Sequence, residues 1–191
     1  MRILVNFLKF SMGIIGIGLL FVYVIPYIEN EAGPSFLQKE DVPVPEALHP
    51  VVQENKVELV DRAGEKGIAV VITDGHRSVS EQDMLYEQGR SGEGNIVTYA
   101  EGGESYHNYG LAIDFAIETK DGRVVWDMNY DGNNNGTSDW MEVVEVAEDL
   151  GFTWGGDWEN FKDYPHLQMD FGLTIRELQY GKRPEVEDYA K

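Results

Sequence analysis

The pattern of apolar positions changes sharply near residue 29. Residues 10–28, FSMGIIGIGLLFVYVIPYI, form an uncharged apolar run of 19 residues. As a helix this run would cover roughly 28 Å, close to the hydrocarbon thickness of a bilayer. Arg2 and Lys9 precede it and Glu29 follows it, so the positive-inside rule keeps the N-terminus cytoplasmic. The pattern predicts a single-pass membrane anchor over residues 1–28, with the rest of the chain outside the cell.

A cleaved signal peptide is the alternative to an anchor. The segment IENEAGPS, which begins at the end of the run, lacks a clear A-x-A cleavage site, and the run is long for a signal peptide. The anchor is therefore the favoured interpretation, whereas cleavage would release a secreted protein. Residues 29–45 are rich in proline and charge and have no periodicity, so they are predicted to be a linker.

From residue 46 onward, helical stripes and short apolar strands alternate. Four segments have helical periodicity or helix-end signals: 46–66, 78–89, 140–150 and 173–181. Three apolar segments bounded by turn residues are predicted strands: 68–73, 111–118 and 166–171. The segment DGRVVW, 121–126, adds a hairpin turn and its return strand. Few helices accompany these strands and there is no regular β-α-β rhythm. The predicted fold is therefore α+β, a small antiparallel sheet with flanking helices, preceded by one transmembrane helix.

Composition narrows the chemistry that this domain can perform. The chain of 191 residues is 42% hydrophobic, enough for a folded core, and its formal net charge is −19. Such acidity provides no cationic surface for nucleic acid. There is no cysteine, so disulfides, thiolate metal ligands and cysteine nucleophiles are excluded. A metal ion must therefore be held by Asp, Glu or His side chains. The candidate histidines are His49, His76, His107 and His166.

The segment ESYHNYGLAIDF, 104–115, places His107 and Asp114 seven positions apart. Asp114 lies within an apolar strand, where a carboxylate is costly unless it is paired or binds a metal. His166 begins another predicted strand, and two imidazoles with one carboxylate are a common ligand set for catalytic zinc. The spacing differs from the helical HExxH pair, so such a site would be assembled from strands and loops. An ordinary loop that runs into a strand is the alternative.

Asp163 precedes His166 in the segment DYPH. Pro165 favours extended backbone at Tyr164, and polyproline geometry, with three residues per turn, would direct Asp163 and His166 to the same side. A carboxylate in that place can take a proton from an attacking water and pass it to a leaving amine. In a flat strand the two side chains would face opposite ways, so this role depends on the bend.

Together these segments resemble the M15 family of zinc peptidases, most closely the L-alanyl-D-glutamate endopeptidases of bacterial cell walls and phage endolysins. SYHNYGLAID matches S-x-H-x-x-G-x-A-x-D, DYPH matches D-x-x-H, and ITDGHRSVSEQDMLYEQGR resembles the strand–turn–helix segment of that family. The resemblance covers roughly residues 46–182, leaving 183–191 as a C-terminal tail. It implies the hedgehog-like fold of D-Ala-D-Ala peptidases.

The resemblance also implies roles for individual side chains. The implied zinc ligands are His107, Asp114 and His166. Asp163 would be the general base and acid, and Arg77 would stabilise an oxyanion or hold a substrate carboxylate. His76 departs from the family, which usually has an aromatic residue there, and this affects the packing beside Arg77. His49 is predicted to begin a helix, while Trp154 and Trp158 would either line a groove or pack in the core.

The segment DGNNNGTSDWME, 131–142, matches the calcium-loop pattern D-x-[DN]-x-[DN]-G-x5-E. Gly136 would make the sharp turn. The oxygen ligands in that register are Asp131, Asn133, Asn135, the Thr137 carbonyl, Asp139 and Glu142. An Asn/Gly-rich turn is the alternative, because the preceding segment resembles a strand and Ser138 takes a position that is usually apolar. The pattern favours calcium, which is predicted to order the catalytic half of the domain.

The sequence therefore predicts a monomeric, membrane-anchored zinc peptidase that hydrolyses an amide bond in peptidoglycan stem peptides. Cleavage between L-Ala and D-Glu is implied by the resemblance alone. A D,D-carboxypeptidase or dipeptidase of the same superfamily is the nearest alternative. A non-catalytic cell-wall-binding module and a calcium-dependent adhesion module are alternatives of other classes. An intact Asp163 argues against the former, because a purely structural zinc site needs no base.

Overall fold

The computed structural model describes residues 39–91 and 95–185. The predicted anchor at 10–28 and most of the predicted C-terminal tail lie outside this part of the chain. Within it, no helix has both the length and the apolar character needed to span a membrane.

Helices and strands alternate irregularly along the described residues. The α-helices are α1 Pro50–Glu65, α2 Val79–Glu87, α3 Asp139–Asp149 and α4 Ile175–Gln179. The strands are β1 Ala69–Asp74, β2 Ala112–Glu118, β3 Val124–Val125, β4 Thr153–Trp154 and β5 His166–Gln168. Two 3-10 helices also occur, at Tyr106–Tyr109 and Gly155–Asp157. The predicted helices and strands are present with shifted ends, whereas β4 and the 3-10 helices have no counterpart in the predicted elements.

The strands in the described chain form one antiparallel sheet in the order β1-β2-β5-β4, with β3 paired to the far end of β2. Strand β2 is central: Phe115 lies opposite Ile72 of β1, and Asp114 lies opposite His166 of β5. Strand β3 returns from the hairpin and pairs with the end of β2. The predicted α+β fold, a small antiparallel sheet with flanking helices, is therefore confirmed.

The alternation of side chains along β2 separates the core from the metal site. Ile113, Phe115 and Ile117 are fully buried in one cluster with residues of α1 and α3. The Phe115 and Trp140 ring centroids lie 4.4 Å apart. Each buried side chain of this size contributes about 1.5–3 kcal/mol. Asp114 points to the other face because successive strand residues alternate, so core packing on one face fixes its position on the other.

The start of α2 is determined locally by the predicted capping box. Ser78 Oγ accepts a hydrogen bond from Glu81 N, and the Glu81 carboxylate accepts one from Ser78 N at 2.8 Å. These bonds satisfy amide groups that the first helical turn leaves free. The helix therefore begins directly after Arg77, and the chain direction at that residue is fixed.

The last residues of the predicted linker are bonded to the domain. The Arg183 guanidinium donates to the carbonyls of Val42 and Pro43 at 3.2 and 3.1 Å. His76 Nε2 lies 2.8 Å from Pro45 O. The imidazole that departs from the family pattern thus contacts the segment leading into α1, and it is not part of the candidate metal site.

Candidate metal centre

The three predicted ligands meet at one point. His107 Nε2 lies 3.3 Å from Asp114 Oδ1 and 3.2 Å from His166 Nδ1, which is itself 3.4 Å from the same oxygen. Ligand atoms of a tetrahedral zinc site with bonds of 2.0–2.1 Å lie about 3.3 Å apart. Asp114 Oδ1 is buried without a hydrogen-bond partner, which is costly unless a cation compensates it. Among the described residues, no other group of three His, Cys, Asp or Glu side chains has ligand atoms that all lie within 4.8 Å of one another.

Each ligand comes from a different element. Asp114 lies on β2, directly opposite His166 at the start of β5. His107 lies on the first 3-10 helix, which ends at Gly110 with a φ of 69°. A Cβ on Gly110 would lie 2.2 Å from Ala47 O, so glycine is required for this close approach. The turn at Gly110 brings His107 back over the strand that carries Asp114.

The outer nitrogen of each imidazole has its own partner. His107 Nδ1 lies 2.6 Å from Gly75 O, which leaves Nε2 for the site. His166 Nε2 lies 3.0 Å from Gln168 Oε1, which leaves Nδ1 for the site. Such partners orient metal-binding imidazoles and raise their basicity. Gln168 was not identified from the sequence, because a single glutamine in a strand has no recognisable metal-site signature.

The Asp114 carboxyl is held in its ionised form. Burial acts to raise its pKa, but His107 and His166 outweigh burial and lower it below the ordinary value. Carboxylates bind cations in the ionised form. The charge state of Asp114 therefore suits a metal ligand.

Arg77 borders this centre and is held by neighbouring acceptors. Its guanidinium donates to the Asp74 carboxylate and, at 2.7 Å, to Gln82 Oε1. It also lies 3.8 Å from Asp114 Oδ2. Asp74 and Asp114 are paired across β1 and β2, so Arg77 bridges carboxylates of neighbouring strands. Neither Asp74 nor Gln82 was singled out from the sequence, because a carboxylate three residues before Arg77 and an amide five residues after it give no local signal that they hold its guanidinium.

Asp163 and His166 are brought to the same side by a turn. His166 N donates to Asp163 O at 3.2 Å, and Asp163 N donates to Gly155 O at 3.1 Å. A Cβ on Gly155 would lie 3.1 Å from His166 Cβ and 3.2 Å from Asp163 Cβ. Both side chains therefore leave the backbone toward one region, and the bend on which the predicted role depends is present. Burial raises the pKa of the Asp163 carboxyl, a perturbation that is common in general bases.

These residues line a cleft of about 680 Å³. Arg77 and Asp163 both border it, together with the three metal-site side chains. The sequence left open whether Trp154 and Trp158 line a groove or pack in the core. Trp158 lines the cleft, and its ring centroid lies 5.1 Å from that of His166. Trp154 belongs to the core.

The predicted calcium loop is a turn with several hydrogen bonds between its own groups, and Asn133 and Glu142 also contact Lys66 outside it. Asp131 accepts hydrogen bonds from the backbone N–H groups of Asn135 and Gly136. Glu142 Oε2 accepts from the side-chain amides of Asn133 and Asn135 at 3.0 and 2.8 Å. Three of the predicted ligands, Asn133, Asn135 and Glu142, are thus brought together.

The remaining loop residues have separate surroundings. Asp139 Oδ2 accepts from Gly132 N at 3.0 Å, while its Oδ1 is buried without a partner. The Ser138 side chain caps α3 by accepting from Met141 N, which accounts for a polar residue at that position. The three loop carboxylates do not gather into a close group of ligand atoms. Calcium binding by the loop therefore stays a prediction.

The chain is similar in sequence to known peptidases. The M15 peptidase profile described as D-alanyl-D-alanine carboxypeptidase matches residues 98–169. The peptidoglycan L-alanyl-D-glutamate endopeptidase CwlK of Bacillus subtilis (strain 168) is 67% identical over 130 residues, covering 68% of this chain and 78% of that protein. The L-alanyl-D-glutamate peptidase of Listeria phage A118 is 32% identical over 113 residues, covering 59% of this chain and 34% of that protein. The crystal structure of the L-Ala D-Glu endopeptidase ChiX of Serratia marcescens matches with 26% identity and a TM-score of 0.45, over 65% of this chain and 82% of that chain. Because the identity to CwlK is high and spans most of both chains, and because the M15 profile matches, the chain belongs to the M15 family of peptidases.

Proposed function

We propose that this protein is a zinc-dependent endopeptidase that hydrolyses the bond between L-Ala and D-Glu in peptidoglycan stem peptides. The observation that carries the proposal is the tetrahedral spacing of the His107, Asp114 and His166 ligand atoms, at 3.2, 3.3 and 3.4 Å. Arg77 and Asp163 border the same cleft. The choice of bond rests on the 67% identity to the L-alanyl-D-glutamate endopeptidase CwlK.

The side chains of the cleft divide the chemistry between them. His107, Asp114 and His166 would hold the zinc ion, which when bound supplies the Lewis acidity for amide hydrolysis. The Asp163 carboxylate accepts a proton from the attacking water and delivers it to the leaving amine nitrogen. Its raised pKa makes it a stronger base than an ordinary aspartate. Arg77, already oriented by its acceptors, donates N–H toward the negative charge that develops on the carbonyl oxygen.

Digestion of purified peptidoglycan tests the proposal. The zinc-loaded full-length protein, kept in detergent, is incubated with peptidoglycan, and the new termini are identified by mass spectrometry. We expect fragments with a new N-terminal D-Glu. Released D-Ala or D-Ala-D-Ala would instead support a carboxypeptidase or dipeptidase, and wall binding without release would support a binding module. His107→Ala should abolish release and Asp163→Asn should strongly reduce it, whereas Asp61→Asn, an exposed change on α1, should not alter it.

We also propose that the N-terminal segment holds the catalytic domain at the outer face of the cell membrane. The length of the apolar run at 10–28 and the charges on its two sides support this location. Cell fractionation with an alkaline wash tests it. An uncleaved chain that stays in the membrane pellet is the expected result, and recovery of a shortened chain in the medium would favour a signal peptide.

We further propose that the loop 131–142 binds calcium. Support comes from the convergence of Asn133 and Asn135 on Glu142 and from the buried, unpartnered Asp139 Oδ1. Calcium titrated into the zinc-loaded full-length protein should raise its Tm, with magnesium as the control ion. Asp131→Ala should remove the response. Unchanged Tm and activity in the unaltered protein would refute calcium binding.

A further inference from the structure

Two aromatic side chains that border the cleft are exposed although they contact each other. Tyr99 is 69% exposed and Phe161 is 48% exposed. Their ring centroids lie 5.9 Å apart in an edge-to-face arrangement, and both line the cavity that contains the metal centre. Apolar surface left exposed in this way marks a binding surface more often than isolated exposed residues do.

The backbone that carries Tyr99 is fixed on both sides of the ring. Arg90 donates to Thr98 O at 3.0 Å, and Gln82 donates to Ala100 O at 2.8 Å. The Arg90 Cζ atom also lies 5.8 Å from the centroid of the Tyr99 ring. The backbone on both sides of Tyr99 is therefore positioned before a ligand arrives, which reduces the ordering cost of binding.

The segment that carries Phe161 is attached to the metal site. Trp158, earlier in this segment, contacts the His166 ring with centroids 5.1 Å apart. Beyond Phe161, Tyr164 O accepts a hydrogen bond from Trp154 Nε1 at 2.7 Å. The aromatic pair and the reacting centre thus belong to one connected wall of the cleft.

Charge divides the cleft into two regions. Among the described residues that line it, Arg77 is the only lysine or arginine, and it lies beside the metal site. The lining residues that precede Tyr99, Val97 and Thr98, are uncharged. The described lining therefore offers an anionic part of a substrate no lysine or arginine other than Arg77, and a neutral part with an apolar face suits the aromatic pair.

We propose that Tyr99 and Phe161 form a subsite for the pyranose ring of the muramic acid sugar that carries the stem peptide. This inference rests on the proposed function. In peptidoglycan the stem begins with L-Ala, joined to the sugar through a lactyl group, so the ring begins roughly 7 Å, or two residue lengths, from the L-Ala carbonyl. Phe161 is two residues from Asp163, so their Cα atoms are separated by no more than about 7 Å. The C–H bonds of a sugar ring pack favourably on the negative face of an aromatic ring.

Matched substrates with and without the sugar test the subsite. The zinc-loaded full-length protein is assayed on N-acetylmuramoyl-L-Ala-γ-D-Glu-L-Lys and on N-acetyl-L-Ala-γ-D-Glu-L-Lys. We expect a higher kcat/KM for the sugar-bearing substrate. Tyr99→Ala and Phe161→Ala should each lower that value about 10-fold, the effect of losing roughly one aromatic contact, and should leave kcat/KM for the sugar-free peptide within about 2-fold. Tyr99→Phe, which keeps the ring, should retain the preference.

Trp126→Ala is the matched control, since Trp126 is a 56% exposed aromatic residue that does not line the cleft. It should leave both substrates unaffected. Equal losses on both substrates in the Tyr99 and Phe161 variants would show that the pair binds peptide and would overturn the inference, as would no loss on either. Cleavage of neither substrate by the unaltered protein would overturn the proposed function itself, a result distinct from cleavage without a sugar preference.

Discussion

Replacement of Gly110 by alanine tests how the metal centre is assembled. Gly110 ends the 3-10 helix that carries His107, and its φ of 69° lies in the left-handed region. An alanine Cβ would lie 2.2 Å from Ala47 O and 3.0 Å from His49 N. The His49 N–H donates to Gly110 O at 2.9 Å, so the two segments cannot separate without weakening that bond.

The expected loss follows from these contacts. The left-handed conformation costs alanine about 1–2 kcal/mol, and loss of the hydrogen bond costs about 0.5–1.5 kcal/mol. The free energy of unfolding should therefore fall by about 1.5–3.5 kcal/mol, which lowers Tm by several degrees. Relief of the clash requires a shift of about 1 Å. Because His107 is only three residues away, its Nε2 moves as well, and zinc affinity should fall at least about 10-fold.

Calorimetry on the metal-free full-length protein measures the stability, and competition with a chromophoric chelator measures the zinc Kd. The matched control is Gly172→Ala. Gly172 has a φ of 75° and nothing within 4 Å of an added Cβ, so alanine there introduces the backbone strain without the contact. If the two variants had equal Tm and equal zinc Kd, the argument that close approach at Gly110 assembles the centre would be refuted.

Substitutions at three other positions have defined outcomes. Asp163→Asn should lower kcat/KM about 10²–10⁴-fold, yet raise the Tm of the metal-free protein at pH 7, because burial raises the pKa of this carboxyl. In the unaltered protein, the stability linked to a carboxyl with a raised pKa is fully present below the unfolded-state pKa and is lost as pH rises through the folded-state pKa. The Tm advantage of Asp163→Asn over the unaltered protein should therefore shrink on acidification. A lower Tm of the variant at pH 7 would contradict this. Gln168→Met should weaken zinc binding about 10–100-fold in a chelator competition, because His166 Nε2 loses its acceptor. Gln168→Glu, which keeps an acceptor, should retain the affinity. An unchanged zinc Kd in Gln168→Met would show that Gln168 does not position His166. Gly64→Ala, within α1 and with nothing within 4 Å of the added Cβ, should raise the free energy of unfolding by about 0.5–1 kcal/mol, and a lower Tm in calorimetry would count against it.

The sequence by itself determined the features that depend on neighbouring residues. The capping box at Ser78 and Glu81 and the alternation of β2 involve residues close together in the chain, so their patterns are visible in the sequence. The need to compensate a carboxylate in an apolar strand singled out Asp114 in the same way. These local signals were sufficient for the fold class, and with the family motifs they were sufficient for the three metal-site residues.

Only the tertiary structure decided which groups support that centre. Gln168 orients His166, and Gln82 holds Arg77 while bonding to the wall that carries Tyr99. Gln168 is two residues from His166 and Gln82 is five residues from Arg77. A glutamine has the same local preferences wherever it lies in a strand or helix, so strand pairing and packing decide which group its side chain reaches. The direction of Asp163 likewise depends on a turn packed against Gly155, since an extended segment alone permits either side.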